Sequence, residues 1–201
     1  MVNFLYIFSN RSIPMRGRSH SCLGQYLIHH HMPHTGIFRQ KAFLFGCIQP
    51  DRNPLTYLKG SLRYRWLRGH NYDNAKWFLH RIARRLEGRK ALSLWDYYTL
   101  GKLIHYTADA FTYAHNEGFP HSLSGHRKYE KELQEHFLHY LRQHPVPEII
   151  STGSIMETIR QYHQAYRTQP PGISTDCIFS LQTCCSIMAV CFHPASDFNV
   201  T

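Results

Sequence analysis

Along this chain the apolar residues return mostly at three- and four-residue spacing, and stretches that alternate apolar with polar are scarce. That spacing turns one face of a helix into a core, whereas a half-buried strand needs a period of two. It restricts the chain to an all-α fold. SHSCLGQYLIHHHM reads as a first helix with Cys22, Leu23, Tyr26 and Leu27 on one side. FRQKAFLFGCI reads as a second, ended by the prolines of QPDRNP. NYDNAKWFLHRIARRLEG gives a third, with Trp77, Phe78, Ile82 and Leu86 as its apolar stripe and Gly88 as its C-terminal cap. Ser93 can cap a long helix that carries Leu94, Tyr97, Tyr98, Leu100, Leu103 and Ile104 and runs to about His115. Gly118 and Pro120 interrupt it. Gly125 then precedes HRKYEKELQEHFLHYLRQH, which Pro145 and Pro147 end. Two further helices are expected near residues 154–167 and 174–192, separated by QPPG. The sum is one domain, a bundle of about seven helices.

A length of 201 residues suits one domain with a substantial core, and an apolar content of 43% excludes a disordered chain. The domain is expected over residues 19–193, with an N-terminal extension over 1–18 and a tail over 194–201. The apolar run from Val2 to Phe8 is short, has no basic residues before it and no small-x-small cleavage site, so it does not read as a secretory signal. Met15 opens a more natural start, which makes residues 1–14 a dispensable extension. The segment CIFSLQTCCSIMAVCF is shorter than a bilayer span and carries Ser, Gln and Thr, so it reads as a buried helix. Six cysteines show no CxxC pairing and no disulfide framework. Free buried thiols in a reducing compartment follow, and with no signal the expected location is cytoplasmic.

The formal net charge of +10 admits an anionic partner, such as a phospholipid surface, a phosphate-bearing substrate or nucleic acid, and equally a plain basic protein. Sixteen histidines are the compositional anomaly. Histidine is the commonest metal ligand, and the segment HYTADAFTYAHNEGFPHSLSGHRKYE crowds it against acids. His105 and Asp109 are four residues apart on one helix, so they share a face, and His126 and Glu130 repeat the arrangement on the next. His115 stands between the pairs. One such pair arises often as a solvated polar contact, but two in succession with a third imidazole between them point to a metal centre. Imidazole and carboxylate are ligands that zinc accepts.

These residues resemble the signature of the zinc-dependent phospholipase C family, H-x3-D-x5-H, a variable loop, then H-x3-E. His105, Asp109, His115, His126 and Glu130 match it in order. The resemblance extends upstream: SHSCLGQYL is similar to the family's first-helix histidine, FLFGCIQPD to its G-x3-P-D element and RGHNYDNA to its next histidine. Those matches add His20, Asp51 and His70. They cover roughly residues 19–140, and the last third of the chain carries no motif of the family.

The resemblance implies two or three zinc ions. His70 and His105 would hold one, Asp109 would bridge it to a second that also takes His20, and His115, His126 and Glu130 would hold the third. Asp51 would hold or deprotonate the attacking water, or join the shell of the first ion. Relatives complete the His20 ion with the amine and carbonyl of their own mature N-terminus, whereas here nineteen residues precede His20. That sets the His20 ion apart from the others. The implied activity is phosphodiester hydrolysis by water, which needs no side-chain nucleophile and explains why a G-x-S-x-G elbow is not required.

The expected partner is a phosphodiester, with a phospholipid at a membrane surface ahead of a nucleic acid. A single-strand nuclease of the related tri-zinc fold and a non-catalytic protein pinned by zinc remain the other readings. Elsewhere, His29, His30, His31 and His34 read as a solvated helix end. His80, His136, His139, His144 and His163 read as surface or boundary residues of amphipathic helices, and His121 as a neighbour of the site. Trp66, Tyr72 and Phe111 are expected in the core ahead of a substrate cleft.

Overall fold

The computed structural model of the chain describes residues 17–52, 72–89, 91–116, 118–120, 122–149 and 153–192. His70, His121, Trp66, the first sixteen residues and the tail from 193 onward lie outside the described residues. Within them the fold is all-α. Seven α-helices follow in order, α1 (Arg18–His31), α2 (Ile37–Arg52), α3 (Tyr72–Leu86), α4 (Leu94–Ala110), α5 (Leu123–Gln143), α6 (Ile155–Arg167) and α7 (Ile173–Phe192). A single 3-10 turn, Tyr113–His115, stands between α4 and α5.

The core forms where α1, α2, α4 and α7 meet. Leu23, Tyr26 and Leu27 of α1, Phe43 and Cys47 of α2, Leu100, Leu103 and Ile104 of α4, and Leu181, Cys184 and Met188 of α7 are all sealed from solvent. By length and composition α7 could also cross a membrane, but 61% of its apolar stretch is buried inside this fold. It is the central core helix that its polar Ser, Gln and Thr suggested. All six cysteines are free thiols, five of them buried.

The closest helix contact is between α2 and α4, and two glycines make it possible. A Cβ on Gly46 would collide with the Tyr98 carbonyl, and one on Gly101 with the Phe43 carbonyl. Without side chains at those positions the two backbones touch. Their C-terminal ends consequently converge, with Asp51 on one and His105 and Asp109 on the other.

Local chemistry explains most of the helix ends. Ser93 and Asp96 form a reciprocal capping box at the start of α4. Arg85 and Arg89 reach the same Asp96 carboxylate at 2.9 and 3.1 Å, which ties the end of α3 to the start of α4. Gly88 adopts φ +73°, the left-handed conformation of a residue just past a helix end. Ser122 and Ser154 cap α5 and α6 by accepting from Gly125 and Glu157.

Four expectations are corrected. The second helix does not stop before Pro50 but carries it inside its last turn and ends at Arg52. So near the end, proline forfeits only one backbone bond, to the Gly46 carbonyl. The long fourth helix stops at Ala110, short of His115. Phe111 and Thr112 close tighter turns onto Ala108 and Asp109, and the fully buried Phe111 ring draws the chain inward. On α3, Trp77 is exposed, and the buried stripe is Ala75, Leu79, Ile82, Ala83 and Leu86. Alanine fits the narrow space against α4 where an indole does not. His163 is buried against Tyr72, ring centroids 3.6 Å apart, and so is a core residue.

Candidate metal centre

Helix geometry delivers the candidate ligands to one region. His20 comes from the first turn of α1 and Asp51 from the last turn of α2. His105 and Asp109 occupy adjacent turns of α4, His115 ends the 3-10 turn, and His126 and Glu130 share a face of α5. The structure assembles them as two trios. In one, the potential ligand atoms of His20, His105 and Asp109 all lie within 4.8 Å of one another, and in the other those of His115, His126 and Glu130 do.

In the first trio Asp109 Oδ1 stands 3.1 Å from His20 Nε2, and Asp109 Oδ2 stands 3.3 Å from His105 Nε2. The two rings lie with centroids 3.9 Å apart. His105 is fixed by an Nδ1 contact to the Cys47 carbonyl at 2.9 Å. A carbonyl can only accept, so Nδ1 carries the proton and the neutral ring turns its Nε2 lone pair toward the carboxylates. Burial and the neighbouring His20 hold His105 below its usual pKa, which keeps that lone pair available.

Asp51 faces the same space. Its Oδ1 is 3.7 Å from His105 Nε2 and its Oδ2 is 4.0 Å from His20 Nε2. Asp51 Oδ2 is buried and accepts no hydrogen bond from the described residues.

The second trio centres on Glu130, whose Oε1 is 2.9 Å from His126 Nε2 and 3.3 Å from His115 Nε2. The two imidazoles lie nearly parallel, centroids 5.3 Å apart. Asp109 joins the trios, because Oδ1, which faces His20, is also 3.9 Å from His115 Nδ1.

The electrostatics call for a cation. Burial alone would push His20 down, but the carboxylates of Asp109, Asp51 and Glu130 outweigh it and raise its pKa to about 9. Burial would raise Glu130, but hydrogen bonds from His115 and His126 pull it down to about 2. The Glu130 hydrogen bond in turn raises His126. The carboxylates of Asp109, Asp51 and Glu130 thus favour positive charge on the imidazoles they surround, and a metal ion would supply it equally well.

The donor set fits zinc. Ligands about 2.1 Å from a tetrahedral zinc stand roughly 3.4 Å from one another. The close pairs here span 2.9 to 3.3 Å, with nitrogen and oxygen donors only. Hydrogen bonds share that range, so the stronger sign is the buried, unbonded Asp51 Oδ2 aimed at the same space.

One residue of this region escaped the sequence reading. Asp176, in the first turn of α7, is fully buried. Its Oδ2 accepts from the Tyr113 backbone N–H and from the Tyr129 hydroxyl, and its Oδ1 accepts from the Tyr166 hydroxyl, each at 2.8 Å. Tyr113 starts the turn that presents His115, and Tyr129 precedes Glu130. Asp176 therefore pins together the two elements that supply the second trio. A lone acid heading a long uncharged apolar helix was the available signal, but an acid there also suits an ordinary helix N-terminus.

The remaining histidines are elsewhere. His29, His30 and His31 form the last turn of α1, where imidazole meets the carbonyl end of the helix. His80, His136, His139 and His144 are exposed.

Comparisons with curated proteins and with solved structures gave no match. The family description "Zinc dependent phospholipase C" matches residues 25–172, which takes in every described member of both trios except His20. The chain belongs to the zinc-dependent phospholipase C family.

Proposed function

We propose that the protein is a zinc-dependent phosphodiester hydrolase of the phospholipase C type. The observation that carries the reading is the pair of N/O trios joined through Asp109, with the unbonded Asp51 Oδ2 facing the same space. His20, His105 and Asp109 would hold one zinc ion and His115, His126 and Glu130 another, with Asp109 between them. The resemblance alone adds His70, outside the described residues, as a ligand of the ion held by His105.

Bound zinc supplies Lewis acidity, acidifying water and offsetting charge on phosphate oxygens. The chain's own residues do the rest. Asp51 Oδ2, which accepts no hydrogen bond from the described residues, would orient water and accept its proton. The Cys47 carbonyl holds the His105 ring in one tautomer, and the Asp176 network holds His115 and Glu130 at a fixed separation. Hydrolysis yields a phosphomonoester and an alcohol, diacylglycerol where the substrate is a phospholipid.

The test is Asp51→Asn, assayed on a soluble phosphatidylcholine analogue and on single-stranded DNA, with zinc per chain measured by elemental mass spectrometry. The expected result is a loss of about 10²–10⁴-fold in turnover of the lipid analogue with metal content retained. Undiminished turnover removes Asp51 from the mechanism. Cleavage of the DNA alone moves the assignment to a nuclease. Tightly held zinc with no turnover of either leaves a structural pin.

A further inference from the structure

Three neighbouring helices carry a stripe of aromatic and basic residues on one face. On α2 it is Phe38, Lys41 and Phe45, on α3 Trp77, Arg81 and Arg84, and on α4 Trp95, Tyr98 and Lys102. Each set is spaced by three or four residues and so shares one helix face. The large rings are well outside the core, with Phe38 76%, Trp77 70%, Trp95 60% and Phe45 53% exposed.

The stripes join into one surface. The Phe45 ring stacks on Tyr98 with centroids 5.7 Å apart, and Trp95 meets Tyr98 at 4.9 Å. Lys102 lies over both Tyr98 and Phe78, which links α4 to α3, and the Arg81 guanidinium lies 5.7 Å from the Trp77 ring. Between α3 and α4 runs an open groove of about 670 Å³, lined by Trp77, Phe78, Arg81, Arg84, Arg85 and Trp95 among others. No carboxylate lines it among the described residues. An exposed apolar area of this kind marks an interaction site.

We infer that this face docks on an anionic phospholipid surface. Tryptophan and other aromatics rimmed by Arg and Lys are the side chains that settle at the boundary between headgroups and acyl chains. Their basic neighbours match the negative potential of such a membrane. A single-stranded nucleic acid would also use aromatics and bases. It has no use, however, for the aliphatic Ile37 and Leu94, exposed on α2 and α4 beside Phe38 and Trp95. Acyl chains accommodate them. The tryptophan end of the face is separate from the metal centre, since Trp95 precedes His105 by ten residues of α4, about 15 Å along the axis. Docking here goes beyond the hydrolase assignment, because binding can be read without turnover.

The experiment is co-sedimentation of the zinc-loaded protein with phosphatidylcholine vesicles, either pure or containing about 30 mol % phosphatidylserine. The protein is expected to partition onto the anionic vesicles, weakly onto the neutral ones, and to be released by salt. The variant Trp77→Ala/Trp95→Ala is expected to lose about tenfold or more. Arg81→Gln/Arg84→Gln is expected to lose about fivefold per residue. Both pairs are exposed, so helicity by circular dichroism should match the parent. Asp51→Asn should partition like the parent whether or not it turns over lipid.

No partitioning onto anionic vesicles, or partitioning that both double variants retain, overturns the inference. So does dimerisation in analytical ultracentrifugation that Trp77→Ala/Trp95→Ala abolishes, which would make the face a self-interface. Capture of a single-stranded oligonucleotide by the parent but not the variant, without vesicle binding, overturns it in favour of nucleic acid.

Discussion

Gly101→Ala tests the link between helix packing and the metal centre. In an ordinary helix interior the exchange gains about 1 kcal/mol. Here the added methyl collides with the Phe43 carbonyl and stands 2.9 Å from the Cys47 nitrogen and 3.0 Å from the Gly46 carbonyl carbon. All of these are backbone atoms of α2, so no side chain can swing aside and the whole helix has to withdraw. Overpacking costs about 1–3 kcal/mol, and a backbone obstacle belongs at the upper end. The net loss is then about 2 kcal/mol, or a Tm lower by roughly 4–8 °C at 2–4 °C per kcal/mol for a chain of this size. Withdrawal also moves Cys47 and Asp51, stretching the 2.9 Å contact that fixes His105. Loss of such an outer partner typically weakens metal affinity about 10–100-fold. The assays are calorimetry on metal-stripped protein and zinc competition against a chromophoric chelator. Gly36→Ala serves as control, since its Cβ would meet nothing within 4 Å. A Gly101→Ala protein as stable as the parent, with unchanged zinc affinity, would refute the argument that glycine sets this contact.

Two further outcomes are expected. Burial raises the Asp176 carboxyl to about 6, against the opposing hydrogen bonds from Tyr113, Tyr166 and Tyr129. The folded state therefore binds more protons than the unfolded one between about pH 4 and 6, and this group makes stability fall as pH rises through that window, by roughly 3 kcal/mol in all. Urea titration of metal-free protein at both ends of the window should show the slope reduced in Asp176→Asn, and equal slopes would dismiss the assignment. Burial also pushes the Cys22 thiol up to about 11 and those of Cys177 and Cys185 up to about 12. A thiol reagent at neutral pH should label at most the half-buried Cys191 in native protein and all six cysteines after unfolding. Rapid labelling of several thiols in the native state would count against the packed core around α7.

What could be read from the sequence was whatever depends on local spacing. His105 with Asp109 and His126 with Glu130 were legible because one helical turn puts each pair on one face. Ser93, Gly88 and the Gly118 to Gly125 break located helix ends for similarly local reasons. The misreadings came from partners distant in the chain. Pro50 resembled a helix stop, because only the folded end of α2 shows that a single bond is lost. Trp77 was placed inside because it falls in one apolar stripe with Phe78, Ile82 and Leu86, whereas the face that turns inward, with Ala75 and Ala83, is a tertiary fact. Asp176 stood out only as a lone acid heading an apolar helix, and its role was hidden because its three donors lie 10, 47 and 63 residues away.

That last separation bears on when the site can come into being. Synthesis delivers α1 first and α7 last, and both pairs on α4 and α5 are in place as soon as their helices form. The Tyr113–His115 turn is different, since its backbone is anchored by a carboxylate made some sixty residues later. Until α7 docks, Glu130 and His126 have no fixed third companion. On the proposed reading, full metal uptake would consequently be a late event in the life of the chain, and a molecule carrying its complete complement of ions would be one whose final helix has already found its place.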